Sequence, residues 1–90
     1  MQGWEWITAA RVITHKPCRL LGLVITPSNA TSEIKVYDGE NTSSPPILEV
    51  VLKSDDTKQL NFPGGIQTDR GLFVGAFTDI TGVLVQWEVD

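Results

Sequence analysis

Turn-forming residues interrupt this chain roughly every eight to twelve residues, and this spacing limits the fold more than any other feature. The turn signals are His15-Lys16-Pro17, Thr26-Pro27-Ser28-Asn29, Asp38-Gly39-Glu40-Asn41, Ser54-Asp55-Asp56, Pro63-Gly64-Gly65, Thr68-Asp69-Arg70-Gly71 and Thr78-Asp79-Ile80-Thr81-Gly82. Short strands at this spacing are typical of a β-sandwich or barrel.

Apolar and polar side chains alternate within these segments. Over residues 83–89, Val83, Val85 and Trp87 fall on one face of a strand, and Leu84 and Gln86 fall on the other. The same period of two occurs in segments 33–37, 47–53 and 58–62. We therefore predict an all-β fold with one domain over residues 1–90, an antiparallel β-sandwich of about seven or eight short strands with jelly-roll-like connections.

The first segment is the least regular. Residues 6–12 include Ala9 and Ala10 but are short and rich in β-branched side chains, which disfavours a helix. We predict one long first strand from Trp4 to Thr14 with a bulge near the two alanines, and a helical turn there is the alternative.

Segment 19–26 has apolar side chains on both faces. Regular alternation would put Leu21, Leu23 and Ile25 on one face and Leu20 and Val24 on the other. A small sandwich buries only one face of each sheet, so an apolar outer face has to be covered.

Segment 72–77 shows the same feature, with Leu72, Val74 and Ala76 opposite Phe73 and Phe77. The cover could come from the first strand or a chain end, or from another subunit, and we favour the subunit. The predicted interface residues are Trp4, Trp6, Leu20, Val24, Phe73 and Phe77.

Size and composition favour stabilisation by a partner. A domain of 90 residues has a thin stability margin, and chains of this size often gain support from disulfides, metals or association. One cysteine, Cys18, cannot form a disulfide within the chain, and one histidine, His15, makes a metal site improbable. The net charge of -4 and the scattered basic residues argue against nucleic-acid binding. Self-association or docking on a protein partner is the remaining expectation.

We expect no catalytic activity and no cofactor. Alternation separates the side chains of His15 and Cys18, which argues against a nucleophile–base pair. The acidic pairs Asp38 with Glu40 and Asp55 with Asp56 lie in turns, where such residues commonly cap backbone amides. The segment 38–41 lacks the spacing of a calcium loop, and the glycines at 64–65 lack the lysine of a phosphate loop.

The two tryptophans near the start leave a second function open. Trp4 and Trp6 lie two residues apart, so they share one strand face. Paired aromatic rings fill cores and anchor protein interfaces, which is our main interpretation. They also stack on sugars, so the alternative is a carbohydrate-binding module that uses Trp4 and Trp6.

The start of the chain lacks the basic and apolar segments of a signal peptide, so we expect synthesis in the cytoplasm. The longest apolar run, residues 20–25, is far shorter than the roughly 20 residues of a membrane helix. We expect no membrane association.

Five segments together resemble small structural proteins of tailed bacteriophages. They are residues 19–25 (RLLGLVI), 33–39 (EIKVYDG), 62–66 (FPGGI), 70–74 (RGLFV) and 82–89 (GVLVQWEV). The resemblance covers most of residues 19–89 and consists mainly of turn chemistry. Trp4 and Trp6 have no counterpart in it.

The resemblance implies a compact β-sandwich on the virion, such as a head-decoration, fibre or tail accessory protein. It implies a homo-oligomer, with a trimer favoured, whose partners are viral capsid or tail proteins. It implies a protein made in the host cytoplasm and located in the virion. It assigns no catalytic residue.

Overall fold

A computed structural model describes residues 2–53 and 55–89 of the chain. The strands in these residues are β1 (Gln2–Ile7), β2 (Arg11–Thr14), β3 (Cys18–Pro27), β4 (Ser32–Tyr37), β5 (Pro46–Leu52), β6 (Lys58–Gln67), β7 (Leu72–Thr78) and β8 (Ile80–Val89). No helix occurs in the described residues. The prediction of an all-β fold is confirmed.

The strands form two four-stranded sheets. Sheet I has the order β1-β8-β3-β6, and sheet II has the order β2-β7-β4-β5. All strand pairs are antiparallel. Both sheets contribute inner side chains to one hydrophobic core, so each sheet has an inner face and an outer face.

The core consists of branched aliphatic side chains from both layers. Leu23 and Val85 from sheet I and Ile34 and Val74 from sheet II have no exposed surface. Their strands follow the alternation seen in the sequence, which brings every second side chain inward. Burial of such a side chain contributes about 1.5–3 kcal/mol, so the layers are held together mainly by this core.

The prediction of one long first strand is wrong. The chain leaves sheet I after Ile7 and enters sheet II at Arg11, and residues 8–10 form the crossing. The Arg11 guanidinium pairs with the Glu5 carboxylate, so an ion pair joins β1 to β2. These two strands are edge strands of their sheets, and the ion pair closes one side of the core.

The prediction that Leu20 lies on the outer face with Val24 is also wrong. The pairing register of β3 shifts between Leu20 and Gly22, where Leu21 is the extra residue of a bulge. A bulge reverses the alternation beyond it. Leu20 therefore lies in the core with Leu23, and it has no exposed surface. Val24 stays on the outer face, half-buried, as predicted.

A second bulge separates the two phenylalanines that were predicted to share a face. The register between β4 and β7 shifts between Lys35, which pairs with Gly75, and Glu33, which pairs with Thr78. As a result Phe77 packs against the core. Phe73 pairs with Tyr37 on the outer side of sheet II and packs against its ring at an interplanar angle of 45°, with centroids 5.8 Å apart.

The predicted turn at Pro63-Gly64-Gly65 lies inside a single strand. β6 pairs with β3 on both sides of this segment, with Asn61 opposite Gly22 and Ile66 opposite Leu20. Gly64 and Gly65 have φ of 80° and 79°, in the left-handed region that glycine tolerates. The extra residues make a wide bulge on this edge strand.

Candidate binding face on sheet I

The outer face of sheet I carries three parallel rows of side chains, each of which crosses the strands in the order of the sheet. Residues that pair across antiparallel strands point to the same side, so the registers define the rows. A row of four residues covers three strand spacings, so its first and last residues lie about 14 Å apart. We call these the apolar row, the amide row and the charged row.

The apolar row consists of Trp6, Leu84, Val24 and Gln59. Trp6 is 44% exposed, and its indole lies over Gly82 of β8, where a Cβ atom would overlap the ring. Leu84 and Val24 are half-buried beside it. The row is thus a continuous apolar strip that begins at the edge strand and ends at an amide.

The amide row consists of Trp4, Gln86, Gly22 and Asn61. Trp4 is the most exposed large apolar side chain of the described residues, at 71%. A Cβ atom on Gly22 would lie 2.9 Å from Gln86 Oε1 and 3.5 Å from Asn61 Oδ1. The two amide groups therefore lie over the backbone at Gly22, and they can approach it this closely because position 22 has no side chain.

The charged row consists of Glu88, Arg19 and Gln67. Arg19 Nη2 donates to Glu88 Oε1 at 2.6 Å. Both side chains are partly exposed, so the pair contributes little to stability. It does give the face a polar border on the side away from the apolar row.

Three of the six predicted interface residues meet on this face, namely Trp4, Trp6 and Val24. Phe73 lies on the outer side of sheet II. Phe77 packs against the core, and Leu20 leaves the predicted set because it has no exposed surface.

Sequence reasoning missed the partners of the two tryptophans, Leu84, Gln86, Gly22 and Asn61. The alternation of residues 83–89 places Leu84 and Gln86 opposite the core, which is a usable signal. The identity of their neighbours depends on which strands pair, and local periodicity does not contain that information.

The outer face of sheet II is covered differently. Phe73 packs against the tilted ring of Tyr37 and lies over Gly75, where a Cβ atom would come within 2.7 Å of the Phe73 ring. Beside Tyr37 is an open cleft of about 500 Å³. Its lining residues are Lys35, Tyr37, Thr42, Ser44, Pro46, Ile47, Leu48 and Glu49.

A surface ion pair borders this cleft. Lys35 Nζ lies 3.1 Å from Glu49 Oε2. The hydrogen bond that Lys35 donates to Glu49 and the negative charge of the same carboxylate raise the pKa of Lys35 above its ordinary value. The two residues are cross-strand partners of β4 and β5 on the outer face.

The residues considered for catalysis lie in separate environments. His15 is exposed, and its Nδ1 atom lies 2.6 Å from Glu40 Oε1 in a neighbouring loop. Cys18 is fully buried, and its backbone N–H donates to the Thr68 hydroxyl at 3.1 Å. The Thr68 hydroxyl donates in turn to the Cys18 carbonyl at 3.2 Å. These contacts fasten the end of β6 to the start of β3.

Asp38 caps the loop between β6 and β7. Its Oδ1 atom accepts the backbone N–H groups of Asp69 and Arg70 at 3.1 and 2.9 Å. Its Oδ2 atom also lies 3.1 Å from Asp69 N. The carboxylate therefore has the loop-fastening contacts that the sequence predicts for an aspartate in a turn.

In the described residues no group of three or more histidine, cysteine or acidic side chains could hold a metal ion. Within the same residues there is no helix of a length and hydropathy that could cross a membrane. No protein-family model, curated protein or solved structure matches the chain.

Proposed function

We propose that this chain is a non-enzymatic structural protein of a tailed-bacteriophage virion, a capsid-decoration or fibre and tail accessory protein, and that it self-associates through the outer face of sheet I. The observation that carries the proposal is the exposure of Trp4 and Trp6, 71% and 44%, next to Leu84 and Val24. Large aromatic side chains at the centre of a contact supply most of the binding energy in many protein interfaces. A trimer in which each copy covers this face is the favoured assembly.

The strand order supports a jelly roll as the finer description of the fold. Successive strands alternate between the two sheets from β1 to β4 and again from β5 to β8, which gives the orders β1-β8-β3-β6 and β2-β7-β4-β5. Two interleaved Greek keys produce these orders, and jelly rolls occur in viral capsid domains. The fold alone does not determine a function, so this argument is an analogy.

The resemblance to phage structural proteins supports the same proposal. Two of the resembling segments contact each other, because Asp38 of the YDG segment accepts the backbone N–H of Arg70 in the RGLFV segment. A hydrogen bond between two loops gives these turn residues a structural reason to occur together. Nothing in the shared segments requires a catalytic role.

Sedimentation velocity over a range of concentrations tests the self-association. We expect the native chain to form larger oligomers than the double variant Trp4→Ser, Trp6→Ser, because the variant loses the contact through this face. Exposed side chains contribute little to folding, so the variant should keep the native circular dichroism spectrum. Thr78→Ala, an exposed change on sheet II, serves as the control. A native chain that stays monomeric at high concentration would refute self-association.

A second candidate function is carbohydrate binding, and the amide row is the observation that favours it. Trp4 offers a ring face, and the amides of Gln86 and Asn61 can donate to and accept from sugar hydroxyls around Gly22. Four strands span about 14 Å, enough for a short run of sugar rings. The uncharged character of the row fits a neutral glycan.

Fluorescence titration with a panel of neutral oligosaccharides tests this candidate. We expect saturable binding that is lost in Gln86→Ala and in Asn61→Ala, because each removes hydrogen bonds to the sugar. The same two variants should weaken self-association less than the tryptophan substitutions do, because the tryptophans supply most of the apolar contact surface of this face. Flat titrations for the whole panel would eliminate carbohydrate binding.

A further inference from the structure

The free edge of β5 is a second surface that could contact protein. β5 is the edge strand of sheet II, and it pairs with β4 without irregularity from Leu52 to Leu48. Val51, on its outer side opposite Glu33, is 50% exposed. A regular edge strand has free backbone N–H and C=O groups that another strand can pair with.

The charges at and just beyond the end of β5 are complementary to each other. Glu49 lies in β5 two residues before Val51, and Lys53, the first residue after the strand, lies two residues after Val51. Two β5 strands that pair antiparallel, with Val51 opposite Val51, therefore put each Glu49 opposite Lys53 of the second copy. We propose that a second copy of this chain docks on the β5 edge in this register and forms a two-fold dimer.

The neighbouring rows of sheet II fit this register. On the outer face, Lys35 and Glu49 already form an ion pair at 3.1 Å, and Lys53 of the second copy continues the alternation of charge. On the inner side, the half-buried Val50 meets Leu52 of the second copy. Apolar side chains thus pair with apolar ones, and opposite charges pair with each other.

Neighbouring registers fit less well. A shift that centres the pairing on Val50 puts Glu49 opposite Val51 and leaves the charges without partners. A shift that centres it on Glu49 puts two carboxylates opposite each other, which is unfavourable. Charge complementarity therefore selects the register centred on Val51.

This contact is additional to the one proposed for the outer face of sheet I, and it shares with that proposal only the premise of self-association. The two contacts use different sheets. A variant of β5 leaves the tryptophans unchanged, so each contact can be removed separately.

A charge-swap mixture tests the contact. In the dimer, residue 49 of each copy lies opposite residue 53 of the other copy. In Lys53→Glu both of these pairs consist of two acidic side chains, and in Glu49→Lys both consist of two basic side chains. We expect each variant alone to raise the dissociation constant of the β5 dimer by about tenfold. An equimolar mixture restores opposite charges at both pairs, so the heterodimer should form with nearly native affinity. Sedimentation velocity in the Trp4→Ser, Trp6→Ser background isolates this contact, and Lys58→Glu, the same charge change on β6, is the control.

Rescue in the mixture, with weakened association of each variant alone, would support the proposal. A monomeric parent in this background, unchanged association of Lys53→Glu, or a mixture that associates no better than its components would each overturn it. The proposed function fails on a different result: it requires that the tryptophan substitutions weaken association in the otherwise native chain.

Discussion

The outer face of each sheet carries two aromatic side chains, but the two faces differ in how these side chains are covered. On sheet II, Phe73 and Tyr37 belong to the two central strands, where each ring covers the other and Phe73 lies on Gly75. On sheet I, Trp4 and Trp6 belong to the edge strand β1. Trp6 lies on Gly82, and Trp4 remains 71% exposed.

The difference shows that the exposure of an aromatic side chain depends on whether its strand is central or at the edge of the sheet, as well as on which face of the sheet it occupies. A ring on a central strand has neighbours on both sides, and one of them can be aromatic. A ring on an edge strand has neighbours on one side alone. Sheet II therefore covers its aromatic surface within the chain, and sheet I leaves a surface available to a partner.

The largest expected effect is the loss of stability when a side chain of β3 on the inner side of sheet I is truncated. Leu20→Ala should lower the free energy of unfolding by about 2–5 kcal/mol, because it removes a fully buried side chain and leaves a cavity. Val24→Ala, on the outer face, should cost less than half as much. Urea denaturation measures both, and equal losses would contradict the bulge at Leu21.

An intermediate effect is expected from the glycines under the rings. A methyl group in Gly75→Ala would displace the Phe73 ring from sheet II and should cost about 1 kcal/mol in unfolding free energy. Gly82→Ala should displace Trp6, which is already 44% exposed, at a smaller cost and with a red shift of the tryptophan fluorescence. Thermal unfolding compares the two variants. A greater loss of stability in Gly82→Ala than in Gly75→Ala would contradict the conclusion that sheet II covers its aromatic side chains better than sheet I does.

The smallest effect concerns the ion pair on the outer face of sheet II. Glu49 raises the pKa of Lys35 in the folded chain, so the stabilisation is fully present below the ordinary value of 10.5 and is lost as pH rises through the folded pKa. The difference in Tm between the native chain and Lys35→Gln should therefore shrink above about pH 10.5. A difference that stays constant to higher pH would show that the pair does not contribute.

Local alternation was sufficient to predict the fold class and most inner faces. The side chains of Val83 and Val85 lie inside as expected, and so do those of Ile34 and Val36. Alternation failed where the chain adds a residue, as at Leu21, because a bulge changes the face of everything beyond it. Bulges depend on how the partner strand fits, which a single segment does not reveal.

The candidate face was predictable in part for the same reason. The spacing of Trp4 and Trp6 predicted that they share a face, since it needs only the period of a strand. The approach of the Gln86 and Asn61 amides over Gly22 depends on three strands that are far apart in sequence. The prediction of one long first strand failed because the chain crosses between the sheets at residues 8–10, and such a crossing has no hydrophobic pattern of its own.

The bulge at Gly64 and Gly65 limits how these molecules can add to one another. Both residues have left-handed φ, and the backbone of β6 is interrupted where a regular strand would offer a continuous hydrogen-bonding edge. A ribbon that grew from molecule to molecule through sheet I would need two usable edges, and β6 provides a poor one. The feature therefore disfavours open-ended fibres and favours assemblies of a fixed, small number of copies.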